Sequence, residues 1–277
     1  MRAPWKIVVF IVVLFVCLIL SSWLESSVDA VANRTGYKLL VSDWGVAVGS
    51  LAATFVLLKS VEGRGWEYVH LDRASFSGRK VGQGLVLGLL PIAIPSLALL
   101  AAGELKWIPS NPGSWWAAAG LSFVNLLPAA ASEEILLRGY VFSALKEATS
   151  ARFTLIATSV IFGLLHIPNP GSDAESIAIV MLAGFFLGSV LLATRSLYAA
   201  IAAHFVWNWF MAAGLHTAVS GIAVMTPDYR VVDNGPDWLT GGAWGPEGGL
   251  AAAIGMFAVV IYLHARPLEP HGVIDGK

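Results

Sequence analysis

The feature that most constrains this chain is a series of long apolar runs, which recur from residue 7 to residue 263. A helix needs about 20 mainly apolar residues to cross the roughly 30 Å of hydrocarbon in a bilayer. Only 13% of the residues are charged, against about 25% in an ordinary soluble domain. Because every backbone polar group needs a partner in lipid, each run is predicted to be a transmembrane helix.

Eight such runs predict an all-α, polytopic membrane protein. No polar block between them is long enough to fold separately, so we expect a single membrane domain over residues 1–277. The longest connection, roughly 216–248, is rich in glycine and acidic residues, and we expect it to be irregular and solvated. The predicted spans are approximately 7–24, 43–59, 82–103, 117–147, 152–167, 176–194, 197–215 and 249–264.

The first run has two interpretations. Arg2 and Lys6 precede the apolar residues 7–20, as in a signal peptide, and residues 28–30 loosely resemble a cleavage site. A retained signal anchor over residues 1–24, forming the first span, is the interpretation that we favour. Cleavage of this segment stays open at the level of sequence.

Charge and cysteine content exclude two classes of function. The formal net charge is −1 and the basic residues are scattered, so the chain lacks the electrostatic footprint of a nucleic-acid binder. The single cysteine, Cys17, lies in the first apolar run, so no intramolecular disulfide or cysteine metal cluster is expected.

Lysine and arginine are divided unevenly between the two sides of the membrane. With the N-terminus inside and Arg138 left out as intramembrane, the alternating segments carry 12 basic residues on one side and 4 on the other. The positive-inside rule therefore predicts cytoplasmic termini and a multi-pass protein of the cell (inner) membrane.

Three of the apolar runs are interrupted by polar side chains. An ionisable side chain at the centre of a transmembrane helix costs about 2.5–3.5 kcal/mol on insertion scales, so such residues indicate a functional site. Buried ion pairs or interhelical hydrogen bonds that only fix packing are the alternative for each helix taken alone. The interruptions are Glu133, Glu134 and Arg138 in the fourth run, His166 at the end of the fifth, and His204 and Asn208 in the seventh.

Helical geometry predicts how these residues cooperate. Glu134 and Arg138 are four residues apart and share a helix face, whereas Glu133 is rotated about 100° from Glu134. We therefore expect Arg138 to pair with Glu134 and Glu133 to face a cavity. A turn near residue 150 would put Glu134 and His166 at the same depth, about 24 Å from that turn.

Two chemistries are compatible with this set of side chains. In the first, Glu133 accepts a proton from water with help from His166, while His204 and Asn208 donate hydrogen bonds to a tetrahedral oxyanion. In the second, Glu133, His166 and His204 bind zinc, which acidifies its bound water. The sequence lacks H-E-x-x-H, which excludes a zincin helix, but it does not choose between the metal-dependent and metal-free mechanisms.

At these residues the chain resembles the CPBP (ABI) family of intramembrane endopeptidases. This family includes type II CAAX prenyl proteases and proteins linked to bacteriocin processing and self-immunity. Each motif alone is weak, but three in this order on separate apolar helices are considerably more specific. The motifs are E-E-x-x-x-R at Glu133, Glu134 and Arg138, F-x-x-x-H at Phe162 and His166, and H-x-x-x-N at His204 and Asn208.

The resemblance implies about eight helices around an intramembrane polar cavity, with a catalytic core at about residues 115–215. It implies that Glu133 activates water and that His204 and Asn208 lie near the oxyanion. The implied partners are membrane lipid and a peptide or protein substrate, which is prenylated or otherwise anchored to the membrane.

Two other functions remain as alternatives, and the predicted orientation raises a question. The same residues would suit a membrane transporter or proton relay, or a noncatalytic bacteriocin-immunity or scaffold protein. The charge distribution makes the turn near residue 150 cytoplasmic, which places Glu134 and His166 in the outer half of the bilayer. A prenylated cytoplasmic substrate would approach from the opposite side.

Overall fold

The computed structural model describes the backbone of residues 3–35, 42–224 and 226–265, and the side chains of these residues except 3, 24–35 and 42. The described chain is mostly helical, as predicted, with one two-stranded sheet that the sequence analysis did not predict. Its α-helices are α1 (Ala3–Thr35), α2 (Ser42–Leu57), α3 (Gly78–Ala102), α4 (Trp115–Glu134), α5 (Val141–Ala148), α6 (Ala151–Leu165), α7 (Ala174–Thr194), α8 (Leu197–Trp209), α9 (Asp237–Thr240) and α10 (Leu250–Ala265).

Several helices are long and apolar enough to cross a membrane, which confirms an integral membrane protein. Two shorter apolar helices, α6 and α10, coincide with the fifth and eighth predicted spans. The seventh predicted span is α8 together with a π-helical turn, Phe210–Leu215. The total of eight spans stays a prediction, because five stretches of the described chain are long and apolar enough to span. They are Pro4–Trp23, Asp43–Glu62, Gly78–Ala102, Trp115–Ala148 and Ala174–Thr194.

Short polar side chains set the starts of the central helices. Each lies at the N-cap position and accepts a hydrogen bond from a backbone N–H of the first turn, which has no partner inside the helix. These residues therefore mark where the chain enters a span. The capping residues are Ser77 for α3, Ser114 for α4, Ser150 for α6, Asp173 for α7 and Ser196 for α8.

Helix α8 lies at the centre of the bundle, between α3, α4 and α7. A Cβ atom added at Gly84 or Gly88 of α3 would collide with the backbone of Ala199 or Ala203 of α8. The two glycines thus serve close packing inside the molecule, as small residues do in membrane helices. This packing holds the helix that carries His204 and Asn208.

The connection between α8 and α10 is more ordered than predicted. Strand β2 (Tyr229–Asp233) pairs in antiparallel fashion with β1 (Leu105–Pro109). Trp244 is only 1% exposed and Glu247 only 8%, so the prediction of a solvated segment is wrong for this part. Burial of the Trp244 indole against the bundle holds this connection in one position. Residues 216–224 and 226–249 are called the cap below.

The two ends of the bundle differ in how the helices are connected. One end, the turn end, has the connections 58–77, 149–150 and 195–196. The other, the loop end, has the connections 103–114 and 166–173 and the cap. At the loop end the side-chain amide of Asn169 donates to the carbonyl oxygen of Ser220, which joins the connection after α6 to the cap.

Candidate active site

Glu134 and Arg138 form a fully buried ion pair in the middle of the bundle. Arg138 Nη1 lies 3.1 Å from Glu134 Oε1, and both side chains are 0% exposed. The second terminal nitrogen, Nη2, donates to the carbonyl oxygen of Gly184 on α7 at 3.0 Å. The predicted pairing of Glu134 with Arg138 is therefore present. Gly184 has no side chain at this point, and a Cβ there would crowd the guanidinium and Phe162.

Glu133 faces both histidines. Its Oε2 atom lies 3.9 Å from His166 Nε2 and 3.9 Å from His204 Nε2. This oxygen is buried, and it has no hydrogen-bond partner among the residues that the structure describes. Residues from three separate helical segments, α4, the end of α6, and α8, thus converge on one point. An equal depth was predicted for Glu134 and His166.

The hydrogen bonds of the two imidazoles determine which ring nitrogens carry protons. His166 Nδ1 lies 2.8 Å from the carbonyl oxygen of Phe162, which only accepts, so Nδ1–H is the donor. His204 Nδ1 lies 3.0 Å from Glu134 Oε1. Because Glu134 Oε1 also accepts from Arg138 Nη1, it is an acceptor here, and this Nδ1 also donates. In the neutral form of either ring, Nε2 is then an acceptor that faces Glu133.

Phe162 packs against the charged groups of the site. The Arg138 guanidinium carbon lies 4.3 Å from the centre of the phenyl ring, an arrangement that favours a cation. The His166 and His204 ring centres lie 4.7 and 5.9 Å from the same ring. One aromatic side chain therefore restricts the orientation of three polar groups, which explains a phenylalanine four residues before His166.

Two of the helices that carry the site change to π geometry directly after it. The π turn Ile135–Tyr140 begins after Glu134 and contains Gly139, whose backbone is not helical (φ −82°, ψ −114°). The turn Phe210–Leu215 follows Asn208 by one residue. Such turns occur mostly at functional sites, where they reorient the side chains of a helix.

Asn208 and the two histidines line a small cavity, whose other walls come from α6, α7 and the cap. Its volume of about 30 Å³ has room for a water molecule but not for a peptide. Asn208 lies on the same face of α8 as His204, four residues away, as predicted.

Glu247 of the cap also lines this cavity, and the sequence analysis did not assign it to the site. It accepts hydrogen bonds from the Trp207 indole Nε1 at 2.7 Å and from the Ser220 hydroxyl at 2.8 Å. Its carboxylate therefore attaches the cap to α8 next to Asn208. In the sequence Glu247 is one acidic residue among several in a glycine-rich connection, and no motif distinguishes it.

The predicted zinc ligands do not form a metal site as they are placed here. Zinc is bound at about 2.0–2.2 Å by histidine nitrogens and carboxylate oxygens that surround one point. In the described part of the chain, no group of three or more His, Cys, Asp or Glu side chains has an arrangement that could hold a metal ion. We therefore derive no step through zinc, and a metal bound by Glu133, His166 and His204 stays a prediction.

Comparison with known proteins agrees with the motifs. Residues 114–210 match the family model described as type II CAAX prenyl endopeptidase, Rce1-like. The match covers about a third of the chain and contains the six predicted site residues and Phe162. The comparison with curated proteins gives no match. The cap, including Glu247, lies beyond the matched residues.

Proposed function

We propose that this chain is an intramembrane endopeptidase. Its residues 114–210 match the family model of the Rce1-like CAAX prenyl endopeptidases. It hydrolyses a peptide bond of a membrane-associated peptide or protein by means of water that Glu133 and His166 activate. The family match supports protease activity in general, and the proposal does not require a prenyl group on the substrate.

The observation that carries this proposal is the convergence on Glu133 Oε2. Glu133 Oε2 and His166 Nε2 both carry lone pairs and face each other when the His166 ring is neutral and Glu133 is ionised. Separations of 3.9 Å are too long for direct hydrogen bonds. A water molecule that donates to both atoms removes the repulsion between them. The site is thus suited to hold and polarise one water molecule.

The reaction then follows the ordinary course of peptide hydrolysis. Glu133 accepts a proton from the water as the water oxygen attacks the carbonyl carbon of the scissile bond. The resulting tetrahedral intermediate breaks its C–N bond when a proton passes to the leaving nitrogen. The products are a carboxyl group and an amine, so no other reactant is needed. His166, held by the Phe162 carbonyl, orients the water.

His204 and Asn208 stabilise the negative charge of the intermediate. The Glu134 carboxylate orients the His204 ring through Nδ1, and Nε2–H of the protonated ring donates to the oxyanion. The Asn208 amide adds a second donor from the next turn of α8. Removal of one such donor typically reduces kcat by about 10²–10³.

Glutamine in place of Glu133 tests the proposal. Glu133→Gln keeps the size of the side chain but removes the base, so cleavage is expected to be lost while the protein stays folded. New N-termini in membranes from cells that produce either protein, measured by terminal-peptide mass spectrometry, provide the assay without a known substrate. Glu175→Gln, the same exchange at an exposed position on the first turn of α7, is the matched control.

The outcomes separate the protease from its alternatives. Termini that occur with the wild type and Glu175→Gln, but not with Glu133→Gln, support the proposal. If Glu133→Gln cleaves as well as the wild type does, Glu133 is not the base. If the wild type generates no new termini, a transporter or a noncatalytic scaffold becomes the better account.

A chelator distinguishes the two water-activation mechanisms. The metal-free mechanism predicts that cleavage by purified protein persists in 1,10-phenanthroline. Loss of cleavage that added zinc restores would favour metal binding by Glu133, His166 and His204 instead.

A further inference from the structure

We infer that this site is reached from the non-cytoplasmic side of the membrane, so that its substrate is an anchored peptide whose scissile bond lies on that side. That the site has a peptide substrate rests on the proposed function. The side of the membrane from which the substrate enters rests on separate observations. Two of them concern the geometry of the site, and one concerns the charge of the whole molecule.

The reacting groups are connected to the loop end. His166 is the C-cap residue of α6, and the exposed residues of the connection 166–173 follow it directly. Ser220 and Glu247, which line the cavity, belong to the cap at the same end. The side chain of Glu133 is 37% exposed although its Oε2 atom is buried, so part of the proposed base reaches the surface of the bundle.

The turn end is closed over the start of α8. The Ser196 hydroxyl donates to the carbonyl oxygen of Ser75 at 2.6 Å, and the Tyr198 hydroxyl donates to that of Leu71 at 2.8 Å. Leu197, between them, is 0% exposed. The connection 58–77 thus seals the side of α8 that faces away from the cap. A peptide from the turn end would have to displace it.

The basic residues identify the turn end as cytoplasmic. Of the lysine and arginine side chains that the structure describes, only Lys106 and Arg230 lie at the loop end, and Arg138 lies in the site. The positive-inside rule places the more basic end in the cytoplasm. The described basic residues at the turn end are Lys6, Lys59, Arg64, Arg73, Arg79, Lys80, Lys146, Arg152 and Arg195.

The open end of the site therefore faces away from the cytoplasm. A substrate there is an exported or outward-facing peptide segment that is held at the membrane by a span or a lipid. A prenylated tail in the cytoplasm would lie on the closed side. The predicted orientation, with cytoplasmic termini, is therefore kept. The substrate is a peptide on the non-cytoplasmic side instead of a prenylated cytoplasmic protein.

Single-cysteine labelling tests the orientation without any activity. In a Cys17→Ser background, the variants Asn111→Cys and Ala174→Cys mark the loop end, and Ala148→Cys marks the turn end. All three positions are exposed. A membrane-impermeant maleimide is expected to label the first two in right-side-out vesicles and Ala148→Cys only in inside-out vesicles. The Cys17→Ser parent shows background labelling, and denatured samples show that each thiol is reactive.

The opposite pattern, or equal labelling in both kinds of vesicle, would overturn the inference and leave the proposed protease intact. The positions of the new N-termini that depend on Glu133 provide the second test. They are expected in non-cytoplasmic segments of membrane-anchored proteins or in the adjoining half of a span. Cleavage of cytoplasmic segments refutes outward access, whereas the absence of any such cleavage refutes the protease itself.

Discussion

Two adjacent glutamates have different surroundings because a helix turns by about 100° per residue. Glu134 points to Arg138 and His204 and is fully buried, whereas Glu133 points between two imidazoles. The ion pair supplies the fixed charge that orients His204. The same pair makes the site dependent on Arg138, because a buried carboxylate without its partner is strongly unfavourable.

Arginine-to-alanine exchanges at two positions test this dependence. Arg138→Ala is expected to reduce the free energy of unfolding by about 3–5 kcal/mol, because it leaves Glu134 buried and unpaired. Arg64→Ala removes an arginine whose side chain is 48% exposed and whose partner Glu147 is 44% exposed, so a loss of about 0–1 kcal/mol is expected. Thermal unfolding in detergent measures both. Equal losses would show that the buried pair has no special importance.

Close contacts between helices at glycine residues determine where the site lies. Helix α8 approaches α3 at Gly84 and Gly88, and the Arg138 guanidinium reaches α7 at Gly184. Because protein interiors are closely packed, one added methyl group at such a contact forces the helices apart. The π turns after Glu134 and near Asn208 then set the direction in which each helix continues.

Glycine-to-alanine exchanges at two positions test the helix contact. A methyl group at Gly88 would meet the Ala203 backbone, so Gly88→Ala is expected to destabilise the protein by about 1–3 kcal/mol. Nothing lies within 4 Å of a Cβ atom at Gly120 of α4. Gly120→Ala is expected to be neutral or to stabilise the helix by up to about 1 kcal/mol. A Gly88→Ala variant as stable as Gly120→Ala would contradict the close packing of α3 on α8.

The whole molecule depends on contacts between its N-terminal helix and the matched core. Many of the described side chains of α1 are exposed, but Phe10 is 1% exposed and stacks on Tyr140 with ring centres 5.1 Å apart. Lys6 Nζ lies 2.8 Å from the buried carboxylate of Glu62. These contacts join α1 to the turn end beside α5. A retained signal anchor stays a prediction, and the contacts support it.

Phenylalanine-to-alanine exchanges test the attachment of α1. Phe10→Ala is expected to cost at least the stacking energy of about 0.5–1.5 kcal/mol. Phe15, on the same helix, is 66% exposed, so lipid replaces its side chain and Phe15→Ala is expected to have little effect. Unfolding of both variants in the same detergent provides the comparison. A larger loss for Phe15→Ala would show that α1 packs by a different face.

Much of the site was predictable from local rules. Apolar length identified the helical segments, a four-residue spacing paired Glu134 with Arg138, and helix rise placed His166 at the depth of Glu134. These predictions succeeded because lipid forces regular helices, in which sequence distance converts directly into position. The match over residues 114–210 agrees with the motif resemblance.

Tertiary structure alone decided how the site is enclosed. The pairing of β1 with β2, the burial of Trp244 and the contact of Glu247 with Trp207 join segments separated by tens to more than a hundred residues. No helical period connects such segments, and a glycine-rich connection has no regular rise that would fix its position. The sequence by itself determined that Glu134 and His166 lie at one depth. The packing of the cap and of the connection 58–77 determined how the site is covered at the two ends of the bundle.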